Sequence, residues 1–153
     1  MKKLLIVANM PSANTRLLAD AVLRGANHPD VEGVTPVLKS PLEAAAEDVL
    51  SSDGIIIGTT ENFAYMSGLI KDFFERIYYP CLEEKQGLPY ALYIRAGNDG
   101  AGTRLAIDKI ITGLRWKSAS PVLLLKGDYQ PEFESQCEEL GMLVAAGLDA
   151  GVL

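Results

Sequence analysis

Histidine and cysteine are scarce in this sequence: one His and two Cys in 153 residues. The histidine, His28, lies in the turn-like stretch Asn27 to Asp30 (NHPD), where a lone imidazole is a surface residue before it is a catalytic one. Cys81 and Cys137 are far apart, with no CxxC or Cys/His spacing, so no zinc or iron–sulfur pattern is present. They read as two reduced thiols. Basic residues are also few: 14 Lys and Arg stand against 20 Asp and Glu, a net charge of −6. That argues against a nucleic-acid binder with a general basic surface and against docking on anionic membranes. The longest uncharged stretch, Leu4 to Thr15, contains Pro11 and falls short of the roughly 18 apolar residues of a membrane span. The opening MKKLLIVANMP imitates a signal peptide, but its apolar run, Leu4 to Ala8, is shorter than the usual core of about 7–15 residues. It reads as a first strand, and the protein as cytoplasmic.

What is present is ordinary globular material. Hydrophobic residues make up 48% and charged residues 22%, which excludes a disordered chain. The length suits one domain, residues 1–153. A chain of this size buries about two thirds of its unfolded surface without metal or disulfide staples.

Short apolar runs alternate with helical patterns. Leu4 to Ala8 (LLIVA) and Gly54 to Gly58 (GIIIG) are continuous, as in strands covered on both faces. Val31 to Leu38 is a weaker strand containing Gly33 and Pro36, and its proline assigns it to a sheet edge. Tyr90 to Ala96 and Pro121 to Leu125 complete five strands. Helices are expected from Leu17, Leu18, Ala21 and Val22, from Pro41 to Ser51, and from Met66 through Leu69, Ile70, Phe73, Phe74 and Ile77. Two more are expected from Leu105 to Lys117 and from Phe133 to Leu148. Pro80 to Leu88 reads as a loop. Strands alternating with helices imply a parallel sheet with helices on both faces, and ligands of such sheets bind beyond the carboxyl ends of the strands.

Three loops at those ends carry polar or glycine-rich sequence. The first, Asn9-Met10-Pro11-Ser12-Ala13-Asn14-Thr15, leads into a helix. A helix N-terminus with Ser, Asn and Thr beside it can hold a phosphate, and the same residues also serve as plain N-caps. The second, Thr59 to Gly68 (TTENFAYMSG), sets Phe63, Tyr65 and Met66 among polar neighbours. They either cover a flat ligand or turn inward. The third, Ala96 to Thr103 (AGNDGAGT), lets backbone approach a ligand or is a flexible turn. Its glycine spacing approaches a P-loop but lacks the lysine, which excludes that nucleotide site. The first loop has no glycine, which excludes a dinucleotide-binding fingerprint. Arg95 and Arg104 flank the third loop and read as solvated, as do Glu43, Glu47 and Asp48 on their helix.

Together the loops resemble those of the flavodoxin-like superfamily, and within it the NAD(P)H-dependent FMN reductase and quinone reductase group. NMPSANT is similar to the family's phosphate loop. DGIIIGTTENFAYMSGLIKDFF (Asp53 to Phe74) is the most specific match, and AGNDGAGT resembles the loop lining the pyrimidine edge of the flavin. The resemblance implies a three-layer α/β sandwich with a five-stranded parallel sheet ordered 2-1-3-4-5, the order for which flavodoxin is itself the standard example.

It further implies that Pro11, Ser12, Ala13, Asn14 and Thr15 hold the FMN phosphate. Thr60, Glu61, Asn62, Phe63, Ala64 and Tyr65 would line the isoalloxazine, and Gly97, Asn98, Asp99 and Gly100 its far edge. Asn9 and Glu61 depart from the family pattern, and the third loop lacks the aromatic of electron-carrier flavodoxins. The implied activity is transfer of electrons from NAD(P)H through FMN to a quinone or similar small acceptor, with chemistry on the flavin and no catalytic side chain. A flavodoxin-type electron carrier and a flavodoxin-like domain without redox activity are the alternatives. No metal, nucleic acid or membrane is implied. A homo-oligomer, dimer or tetramer, would use Tyr78, Tyr79, Pro80 and Trp116.

Overall fold

The computed structural model describes residues 1–153. Seven strands are formed: β1 (Lys2–Ala8), β2 (Val34–Lys39), β3 (Gly54–Asn62), β4 (Tyr65–Met66), β5 (Pro89–Ala96), β6 (Lys117–Ser118) and β7 (Leu123–Lys126). Five helices join them: α1 (Ala13–Ala26), α2 (Ala46–Leu50), α3 (Gly68–Leu82), α4 (Ala101–Leu114) and α5 (Glu132–Asp149). The long strands are parallel in the order β2-β1-β3-β5-β7, the expected 2-1-3-4-5 arrangement. The two-residue strands are additions to it: β4 pairs antiparallel with β3, and β6 extends the edge beside β5.

The continuous apolar runs follow from burial on both sides. Leu4, Ile6 and Ala8 of β1 join the core beneath α1 and α5, while Leu5 and Val7 join the core beneath α3 and α4. Ile56 of β3 faces the first core, and Ile55 and Ile57 face the second. Each fully buried side chain of this size contributes about 1.5–3 kcal/mol. Pro36 sits in β2, which pairs only with β1, so its missing N–H falls on an edge strand.

Glycines set the spacing of the layers. A Cβ on Gly25 of α1 would lie 1.9 Å from the carbonyl oxygen of Glu138, and one on Gly141 of α5 would lie 2.0 Å from that of Val22. The two helices therefore touch backbone to backbone. Gly58 makes room for the Tyr93 ring, which lies across β3.

Several boundaries differ from expectation. On α1, Leu17 is exposed and the buried face is Leu18, Ala19, Ala21 and Val22. Pro41 starts a turn held by Ser40 rather than a helix, leaving α2 short. Helix α3 continues through Tyr78, Tyr79 and Pro80 to Leu82, because proline within the last turn removes only one helical hydrogen bond. Trp116 is buried against Phe74, with ring centroids 6.3 Å apart, and offers no contact surface; Tyr79 remains 80% exposed. Asp48 is turned inward rather than solvated. It bonds Lys39 at 2.9 Å and the Ala45 N–H at 2.9 Å. Burial alone would raise its carboxyl pKa, but the Lys39 and Ala45 hydrogen bonds outweigh burial and hold it below the usual value.

Candidate functional site

All three loops lie at the carboxyl end of the sheet, and each has a definite geometry. In the first, Ser12 is the N-cap of α1. Its Oγ accepts from the Thr15 N–H at 3.2 Å, and its own N–H donates to Thr15 Oγ1 at 2.9 Å. Capping is therefore what Ser12 and Thr15 do within the chain. Ala13 and Asn14 are exposed in the first turn, where helix geometry leaves the N–H groups without intrahelical partners. Pro11 is exposed beside them and has no N–H to offer. Asn9 ties this loop to β3: its Nδ2 donates to Thr60 Oγ1 at 3.1 Å, and Thr60 Oγ1 in turn bonds Asn62 Oδ1.

The second loop is a β-hairpin. Strand β3 runs on past Gly58 to Asn62, turns at Phe63 and Ala64, and returns as β4. Both turn residues have positive φ, 53° and 60°. Two-residue hairpin turns of that shape favour Asn-Gly. A left-handed conformation costs a side-chain-bearing residue roughly 1–2 kcal/mol. Phe63 projects fully into solvent and Tyr65 is 41% exposed, whereas Met66 is buried. Of the three, only Met66 turns inward. Ser67 then caps α3 by accepting from the Ile70 N–H at 3.1 Å.

The third loop is bolted to this hairpin. The Glu61 carboxylate accepts from the Asn98 N–H at 2.9 Å and from the Gly100 N–H at 2.8 Å. Thr103 Oγ1 donates to the Tyr65 carbonyl at 2.9 Å, and a Cβ on Gly102 would meet the Ala64 carbonyl oxygen at 2.0 Å. Asp99 Oδ1 accepts from the Ala101 N–H at 3.0 Å, at the start of α4. Arg95 is a strut rather than a solvated side chain. It donates to the carbonyls of Ala96 and Leu125 and lies 5.1 Å from the centre of the Phe133 ring.

A groove of about 670 Å³ opens between the first loop and the hairpin, lined by Asn9, Pro11, Asn62, Phe63, Tyr65, Met66, Ser67, Gly68 and Leu69. It brings together one end of the first loop and the aromatic hairpin. Neither Ser12 to Thr15 nor the residues of the third loop are in its lining. Ser67, Gly68 and Leu69 were not foreseen as lining residues, although the MSG triplet that contains the first two marks the place. No charged side chain lines the groove. Both thiols are buried away from it, Cys81 in one core and Cys137 in the other. Burial raises both pKa values, that of Cys137 to about 12, so neither is a thiolate at neutral pH. No helix is long and apolar enough to cross a membrane.

The fold is shared with known proteins. No family model matches the chain. A flavodoxin of Aquifex aeolicus is 32% identical over 114 residues, which make up 74% of this chain and 60% of that protein. The chain thus spans 60% of the length of the curated relative it matches. The structure of a flavodoxin from the domain Archaea is similar with a TM-score of 0.81 at 18% identity, covering 95% of this chain and 98% of that one. The chain has the flavodoxin-like fold. A flavodoxin-like WrbA-like protein from Agrobacterium tumefaciens is similar over 99% of both chains, with a TM-score of 0.77 at 14% identity. In the flavodoxin-like frame, the hairpin and its groove occupy the carboxyl end of β3, next to β1, where the strand order reverses.

Proposed function

We propose that this protein binds FMN at the groove and serves as an electron carrier of the flavodoxin type. The observation that carries the reading is a pair of glycines. Of the 14 glycines, only Gly68 and Gly97 combine an ordinary φ with open space where a Cβ would stand. Every other glycine is required by a positive φ or by a close neighbour. These two border the hairpin and the third loop, and they leave room that nothing in the chain fills. A flat ligand approaching the backbone accounts for both.

FMN, when bound, supplies one- and two-electron transfer. The chain's contribution is binding and orientation. The N–H groups of Ala13 and Asn14, at the positive end of α1, would hold the phosphate with Ser12 and Thr15 shaping the turn. Phe63 and Tyr65 would lay aromatic surface beside the ring. Thr60, Asn62 and Asn9 would hold the floor through their shared hydrogen bonds, and Ala64 and Glu61 would fix the hairpin against the third loop. Gly97, Asn98, Asp99 and Gly100 would border the ring's far edge, with Gly97 giving the close approach.

The flavodoxin relative favours a carrier, and the net charge of −6 suits docking to basic redox partners. Titration with FMN, followed by quenching of flavin fluorescence, tests the binding: micromolar or tighter affinity is expected. NADH or NADPH alone should then leave the visible absorbance intact, and an added partner reductase should bleach it. Direct bleaching by NAD(P)H would replace the carrier with an oxidoreductase that passes electrons to a quinone or similar small acceptor. A protein that takes up no FMN would have neither function.

A further inference from the structure

We propose that the outer edge of β7 is an interface between two copies of this chain, which pair their β7 strands antiparallel and join their sheets into one.

The two edges of the sheet are built differently. In a parallel ladder the N–H and C=O of one residue turn to the same side, and successive residues alternate. At the β2 edge the Lys2 N–H donates to the Gly33 carbonyl, and Leu4 lies opposite Pro36. Val34, Pro36 and Leu38 therefore turn their main-chain groups outward. Pro36 denies an N–H to any approaching strand, a usual protection of an exposed edge. At the β7 edge the Gly127 N–H donates to the Ala96 carbonyl, and Lys126 lies opposite Ala96. Leu123 and Leu125 therefore turn toward β5, while Leu124 and Lys126 turn outward, with Val122 continuing the row. All three carry an N–H, and no strand lies beyond β7.

Unpaired main-chain donors and acceptors in a row are the complement of another extended strand. A second copy satisfies them with its own identical row. The staggered bonds of a parallel ladder are not the same seen from both strands, so a two-fold axis requires antiparallel pairing. Centred on Leu124, that pairing lets Leu124 exchange a pair of hydrogen bonds with the partner's Leu124, and Lys126 with the partner's Val122.

The charges fit the same register. Val122 and Leu124 pack toward one core and Leu123 and Leu125 toward the other, so Lys126 shares the α4 face with Val122. Asp108 of α4 lines a small cavity with Ser120, Pro121 and Val122. Lys126 of one copy, set beside the partner's Val122, comes within a lysine stem of the partner's Asp108. Neither residue has an ion-pair partner within its own chain; Arg104, one turn before Asp108, lines the same cavity without bridging to it. An edge lysine ordinarily repels a second strand, and here it meets an acid. On the opposite face, Leu123, Leu140 and exposed Leu143 surround a groove of about 310 Å³ that the second copy covers. Antiparallel pairing points the two carboxyl ends in opposite directions, so both cofactor grooves stay open.

Sedimentation velocity over a concentration series tests the interface. Wild type should pass from monomer to dimer as its concentration rises through tens of micromolar. The amides of Leu124 and Lys126 should exchange about tenfold more slowly in the dimer. Lys126→Pro removes an outward N–H from an exposed residue and leaves the bonds of β7 to β5 in place, so it should sediment as a folded monomer. Lys126→Asp and Asp108→Lys each set like charges together and should weaken association about tenfold. The double variant should restore it. Tyr79→Ala, on the exposed face of α3, should dimerise as wild type does. A wild type that stays monomeric, a dimer that survives Lys126→Pro, or a double variant that does not recover would overturn the proposal. So would loss of the dimer in Tyr79→Ala, which would place the interface on α3.

Discussion

Replacing Gly68 or Gly97 by alanine should move stability and binding in opposite directions. A Cβ built on either glycine meets no heavy atom within 4 Å, and neither has a positive φ. The folded chain therefore accepts the methyl group without strain. The unfolded chain loses freedom, and such Gly→Ala changes stabilise by about 0.4–1 kcal/mol. Gly68 is the first residue of α3, where alanine is also the better helix former. For a domain of this length the gain corresponds to a rise in Tm of roughly 1–4 °C. The same methyl stands where the cofactor is proposed to approach, and displacing the ring by a few tenths of an ångström loses close contacts that are each small but numerous. A tenfold weaker Kd corresponds to about 1.4 kcal/mol, and a loss of at least that size is expected. Urea unfolding without ligand and an FMN titration give the two numbers. Variants that bind FMN as tightly as wild type would refute the reading of these glycines as cofactor space. Variants that lose stability would show the space to be needed by the chain itself.

Three further outcomes test the frame. Ala64→Gly relieves a left-handed residue and should raise the urea midpoint by roughly 0.5–1 kcal/mol in free energy, the strain relief exceeding the entropy of glycine. The matched change at helical Ala101 should lower it. Gly141→Ala drives a methyl into the carbonyl of Val22 and should cost about 1–3 kcal/mol in the same assay as α1 and α5 are forced apart. Asp48→Asn should destabilise the protein at neutral pH. The folded-state pKa of Asp48 is depressed, so its contribution is present above the unfolded value of about 3.9 and fades as pH falls through the folded value. The gap between wild type and variant should therefore begin to close as pH falls below about 4 and vanish only below the depressed folded value. A gap that persists there would remove the carboxylate from the account.

Burial was the most legible property of the sequence. LLIVA and GIIIG announce strands covered on both sides, and the proline in β2 announces an edge. Those three observations give the buried strands and one edge, while the order of the long strands was implied by the resemblance to the flavodoxin-like superfamily. Turn chemistry was less legible. Nothing in Asn62-Phe63-Ala64-Tyr65 resembles the Asn-Gly signal of a tight hairpin, because the conformation is held by contacts with α4 rather than by local preference. The role of Glu61 was hidden for a related reason. Its partners are backbone N–H groups of Asn98 and Gly100, and a backbone donor leaves no mark in the sequence. Ser12 and Thr15 were readable both as caps and as phosphate ligands, and the geometry shows the capping bonds. Pro80 misled because its position in the last turn of α3, where it is tolerated, depends on where that helix ends.

The contact between α1 and α5 has a consequence for how the chain is made. Arg24 and Glu138, which meet across that contact, are 114 residues apart. Synthesis delivers α1 early, and its apolar face of Leu18 and Val22 stays uncovered until α5 emerges. Such long-range closure slows folding and leaves adhesive surface exposed on the ribosome. A fragment ending before α5 should therefore aggregate rather than persist as a smaller native domain, and chaperone dependence should concentrate in that interval of translation.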